Sequence, residues 1–219
     1  MKHLKKPYYL KFMIIFILLV IYLFVSAISY ATAVSASISD SVLRLHIVAN
    51  SDSENDQSLK YKVRDALLQH MNQLCVNCQS KEEAISTVQN HLLEFKDIAQ
   101  NTIFQEGFDY SVTIDVGNYY FPTKYYGDVS LPEGSYDALN IKIGQAQGHN
   151  WWCVMFPPLC FVDVSSGVVP EDSKEVLKYN LSTDEYEIIT ADNSNFKFKL
   201  IELVDKFSKA IQDDTSDYR

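Results

Sequence analysis

Hydrophobic and polar positions change period repeatedly along the chain, and each change marks a predicted element. Residues 42–49 alternate, with Leu43, Leu45 and Ile47 on one side and Arg44 and His46 on the other, which predicts a strand with one buried face. Asn50-Ser51-Asp52-Ser53-Glu54-Asn55-Asp56 is a loop of turn formers and helix caps. Over residues 56–74 the apolar positions Leu59, Val63, Ala66, Leu67, Met71 and Leu74 recur three and four apart, the stripe of an amphipathic helix. A second helix starts at Ser80, where Glu83 completes a capping-box pattern. Its stripe runs through Ala84, Ile85, Val88, Leu92, Phe95, Ile98, Ala99 and Ile103 to a stop at Gly107. Two helices joined by so short a loop are expected to pack antiparallel.

Beyond them the period returns to two. Tyr110, Val112, Ile114 and Val116 alternate with Ser111, Thr113 and Asp115, a second half-buried strand. Gly117-Asn118 predicts a turn into Tyr119-Tyr120-Phe121, and Pro132-Glu133-Gly134 another before a strand over residues 135–143. A Gly/Gln loop over 144–150 leads into a strand at 151–156. This order predicts an α+β fold in which an antiparallel meander carries a packed helix pair. Towards the C-terminus, 172–179 reads as a short helix and 186–190 is ambiguous. Leu200, Val204, Phe207 and Ile211 mark a C-terminal amphipathic helix that packs home.

The N-terminus alters the picture. Lys2, Lys5, Lys6 and Lys11 precede a run free of charged side chains to Ser39, most apolar over residues 12–25, the pattern of an export signal. Ala31-Thr32-Ala33 and Val34-Ser35-Ala36 are both acceptable cleavage triplets. The alternative is an uncleaved signal anchor, since residues 12–31 are long enough to span a bilayer. The chain divides into a signal peptide or anchor (1–36), an exported domain (40–165) and a C-terminal extension (166–219). Without residues 1–39 the chain carries 15 basic and 28 acidic side chains, a net charge near −13. That charge repels phosphates and excludes a nucleic-acid partner. Contact with membrane is expected only through the N-terminal segment, if it is retained.

Outside the cytoplasm four cysteines read first as disulfides. Three connectivities are open, and pairing neighbours, Cys75 with Cys78 and Cys153 with Cys160, is the simplest. Cys75 and Cys78 have C-x-x-C spacing but close one helix and precede another, unlike a thioredoxin-type site that opens a helix. The second pair is spaced poorly for zinc. Cys153 with His149 or His46 would need a third, orienting group, which no recognisable spacing supplies. Asp163-Val164-Ser165-Ser166-Gly167 has one residue too many for an aspartic-protease loop and no second copy. Residues 52–56 lack the glycine and terminal glutamate of a calcium loop, and the glycines form no phosphate cradle. The expectation is a protein without catalytic residues, metal or cofactor. An envelope enzyme such as a cell-wall hydrolase using His46, His149 or an acidic pair is the alternative, and a structural envelope protein a third.

Residues 119–163 concentrate ten aromatic side chains, both tryptophans and four of the six prolines. Rings at that density fill a core or form a contact surface. Trp151, Trp152, Phe156, Leu159 and Phe161 are the candidate partner contacts, being of types that dominate binding hot spots. Strand alternation sends Trp151, Cys153 and Met155 to one side and Trp152, Val154 and Phe156 to the other.

Two stretches, LRLHIVANSDSENDQSLKYKVRDALL from residue 43 and FPTKYYGDVSLPEG…NWWCVMFPPLCFVD from residue 121, resemble the stage II sporulation protein R family of endospore-forming Firmicutes. Cys75 and Cys78 lie outside both stretches. The resemblance implies an intercompartmental signalling protein, exported into the space between forespore and mother-cell membranes. Its implied partner is a membrane-embedded aspartic protease, the sigma-E factor-processing peptidase, which it triggers to process pro-sigma-E.

Overall fold

The computed structural model describes residues 6–160, 169 and 171–190. Helix α1 (Lys6–Asp40) is long and apolar enough to cross a membrane. It leads directly into strand β1 (Leu43–Val48). Helix α2 (Glu54–Leu74) begins two residues earlier than its apolar stripe predicts, because the Ser53 side chain caps it by accepting from Asp56 N–H. Ser80 caps the next helix through Glu83 N–H, while the Glu83 carboxylate accepts from Gln79 N–H, one residue before the cap. The second predicted helix is broken into α3 (Lys81–Asn90) and α4 (Leu92–Gln105). At the break the His91 amide and ring nitrogen Nδ1 both turn onto the Thr87 carbonyl. The helix pair is thus α2 with α4, and the apolar stripe remains in the core through Ala84, Val88, Phe95, Ala99 and Ile103.

Strands β2 (Val112–Phe121), β5 (Gly134–Ile143), β1 and β6 (Asn150–Phe156) form one sheet in the order β2-β5-β1-β6. β3 (Lys124–Tyr126) and β4 (Val129–Leu131) pair as a separate ribbon. The sheet is mostly antiparallel, but it is not the predicted meander. β1 lies between β5 and β6, parallel to the first and antiparallel to the second. Five of the six β1 residues are buried, so the strand needs neighbours on both edges and cover on both faces. Nor does the chain turn at Gly117-Asn118. β2 continues through it, and the Tyr119 ring packs over Gly117, 3.2 Å from where a Cβ would sit.

One face of the sheet carries Leu43, Leu45, Ile47, Leu139, Ile141, Cys153 and Met155, all buried in the core shared with α2, α3 and α4. The structure closes disulfides between Cys75 and Cys78 and between Cys153 and Cys160. Helices α5 (Glu171–Asn180) and α6 (Thr183–Thr190) follow. The C-terminal helix predicted through Leu200, Val204, Phe207 and Ile211 and the loop from Asp163 to Gly167 lie outside the described residues.

The loop after β1 clasps the loop before β6. Gln147 and Gly148 amides donate to the carbonyls of Asn50 and Ala49, Gln145 N–H to Asn50 Oδ1, and His149 N–H to Asp52 Oδ1. Asn50 and Ser51 also donate to the buried Asp56 carboxylate at the start of α2. A Cβ on Gly148 would lie 2.2 Å from the Ser51 carbonyl oxygen. Gly148→Ala is therefore expected to destabilise the domain by roughly 1–3 kcal/mol, read as a lowered urea midpoint at unchanged slope.

Candidate functional site: a polar and aromatic row across the sheet

The second face of the sheet is built from side chains that sequence alternation places opposite the core. Asp115 on β2 is paired with Asn140 on β5, Asn140 with His46 on β1, and His46 with Trp152 on β6. A single row therefore crosses all four strands. Asn140 Nδ2 donates to Asp115 Oδ1 at 3.2 Å, and the Tyr119 hydroxyl donates to the other carboxylate oxygen. His46 Nε2 lies 2.8 Å from Asn150 Oδ1. Its ring stacks on Trp152 with centroids 3.8 Å apart and planes 3° from parallel. Phe121 meets the Trp152 ring edge-on at 4.7 Å.

One row further along β1, Arg44 is fully buried. Its guanidinium lies 4.1 Å from the Phe121 ring centroid and 4.7 Å from that of Tyr136, and Nη2 donates to the Tyr126 hydroxyl at 2.6 Å. Among the described residues Nε and Nη1 have no hydrogen-bond partner, and the aromatic rings are the main compensation there for taking this charge out of water. The β3–β4 ribbon supplies Tyr126 and covers this half of the face. The half around His46, Trp152 and Asp115 is half-buried and open to solvent.

Burial pulls the His46 pKa below the ordinary histidine value, and the nearby Lys142 charge adds to this. Asn150 and Asn140 oppose it by favouring the imidazolium. Asn140 stops short of hydrogen-bond geometry, leaving His46 Nδ1 and Asn140 Oδ1 buried without a bonded partner among the described residues. A histidine held neutral contributes stability that is fully present above pH about 6.5 and lost as pH falls through the lowered folded value. The exported domain is thus expected to lose stability in the window just below pH 6.5. His46→Gln should flatten the stability profile in that window alone, as followed by urea titrations at stepped pH. Asp56 titrates lower. Burial raises its pKa, but hydrogen bonds led by Ser51 and Asn50 outweigh this and hold it below the usual carboxylate range.

The sequence candidates separate on this frame. Trp152 joins the row. Trp151 faces the opposite way, its ring edge-on to Tyr61 at 5.4 Å and under the Arg64 guanidinium at 4.5 Å, both on α2. Phe156 and Leu159, expected as surface contacts, are buried, at 4% and 0% exposure. The cause is the Pro157-Pro158 corner, which folds back so that Leu159 N–H donates to the Val154 and Pro157 carbonyls while Ser173 on α5 bonds Pro158 O. Phe161 lies outside the described residues. Cys153 Sγ is bonded to Cys160, so no thiolate stands beside His46 or His149, and the exposed His149 pairs with Asp52 instead. Sequence reasoning missed Arg44, Phe121, Tyr126, Asn140 and Asp115 as members of one cluster. Period-two alternation puts several of them off the apolar face, but only strand register makes them neighbours.

The model of the stage II sporulation protein R family matches residues 39–166, which contain the whole row and the clasped loops. The chain is 43% identical over 143 residues to the stage II sporulation protein R of Bacillus subtilis (strain 168), covering 64% of each chain. No solved structure matches.

Proposed function

Since this chain belongs to the stage II sporulation protein R family, we propose that it is an exported signal that triggers processing of pro-sigma-E by the membrane-embedded aspartic peptidase. It acts from the space between forespore and mother-cell membranes, by binding rather than by catalysis. The observation that carries this reading is the open half of the second sheet face. There a tryptophan and a histidine are presented on rigid strands, bounded by a carboxylate and the exposed Lys142. A rigid aromatic anchor within a polar rim is what a protein contact requires. The apolar α1 is compatible with export or with an anchor that keeps the domain at the membrane. Binding activates only if the domain prefers the peptidase's active arrangement to its inactive one.

Co-producing the full chain with the peptidase and pro-sigma-E in non-sporulating cells tests this. Pro-sigma-E should be shortened only when all three are present. Equal shortening without this chain, or none with it, contradicts the proposal.

A further inference from the structure

The apolar helix α1 does not end at the border of the domain; its last two turns are inside it. Val34 and Ile38, one turn apart on the same helical face, are 6% and 0% exposed and belong to the main core, packed towards β5 and α6. Polar bonds fix the same turns. Lys81 Nζ donates to Ser39 O at 3.1 Å, Ser41 Oγ donates to Asn180 O at 3.1 Å, and Ser35 Oγ lies 3.6 Å from where a Cβ on Gly134 would be. From Tyr8 to Tyr30, by contrast, every side chain except that of Ile28 is exposed, and Ala33 is exposed too.

The boundary between detachable segment and domain therefore falls between Ala33 and Val34. The sequence places Ala31 and Ala33 immediately before it, small side chains at the third and first positions preceding the bond. The second triplet would cut after Ala36 and take Val34 out of the core, together with the half-buried Ser35. We propose that the Ala33–Val34 peptide bond is the processing site, cut by a membrane-bound signal peptidase, and that residues 34–41 remain as the first element of the mature domain. Water is added across the amide. Ala33 leaves with a carboxylate on the apolar segment, and Val34 becomes a terminal ammonium group. The cut precedes closure of the fold, because in the folded chain this bond lies within α1. The domain then leaves the membrane with its core complete.

The full chain, produced in cells that export it, supplies the test through intact mass and N-terminal sequencing of the exported form. The expected N-terminus is Val34. An N-terminus at Ser37, or only the uncut chain, overturns the proposal. Ala33→Phe should leave the chain uncut, whereas Ala36→Phe, at an exposed position, should be cut as before; the reverse pattern also overturns it. For the retained element, Ile38→Ala should lower the melting temperature of the exported form by about 5–15 °C. An unchanged melting temperature would show that residues 34–41 are dispensable to the core.

Discussion

Trp152→Ala is expected to reduce pro-sigma-E processing at least tenfold while export continues and the domain stays folded. The indole is half-buried, with one face against the His46 ring and an edge near Phe121, so it is held in one orientation before any partner arrives. Preorganised aromatic anchors of this kind carry about 2 kcal/mol or more of binding energy, enough for a thirtyfold change in affinity. Loss of the stacked packing costs the domain itself only about 1–2 kcal/mol, because much of the ring already faces solvent. Trp151→Ala is the internal control. Its ring is committed to Tyr61 and Arg64 on α2, so it should lower stability and leave processing by the folded fraction intact. Immunoblots of pro-sigma-E alongside melting curves of the exported proteins separate the two. Normal processing in Trp152→Ala and in the double variant with His46→Ala would remove the row as the contact.

The largest expected effect on stability is at Phe121. This ring is fully buried and touches Arg44, His46, Tyr136 and Trp152, so it joins both halves of the second sheet face. Phe121→Ala should cost about 3–5 kcal/mol, through lost transfer energy and the cavity left behind. The upper end is expected here, since the Arg44 guanidinium would lose the nearer of its two aromatic faces with no carboxylate among the described residues to replace it. Urea unfolding measures this directly. A loss under about 1 kcal/mol would mean that the site collapses around the gap and that the ring is not its keystone.

What the sequence made legible was local. The caps at Ser53 and Ser80, the stripes of α2 and of α3 with α4, and the alternation of β1 and β2 all follow from side-chain chemistry and period. The place of β1 was hidden by Arg44. A charged residue in an alternating strand reads as a solvent-facing position, yet here three aromatic rings bury it, and the strand is central. The site was hidden for a related reason. Asp115, Asn140, His46 and Trp152 lie far apart in the chain and become one row only through a parallel pairing, β1 with β5, that no turn signal announces. Phe156 and Leu159 show the converse. Their residue types suited a contact surface, but the proline corner between them turns the chain back into the core.

The role proposed for this chain is to trigger the peptidase. The most direct measurement is the state of pro-sigma-E during sporulation of a host deleted for its own family member and supplied with this chain. With the chain present, immunoblots should show pro-sigma-E converted to its shorter form; with the Trp152→Ala variant it should persist at full length. Conversion in the deleted host without any copy, or persistence despite the exported wild-type chain, would contradict that role.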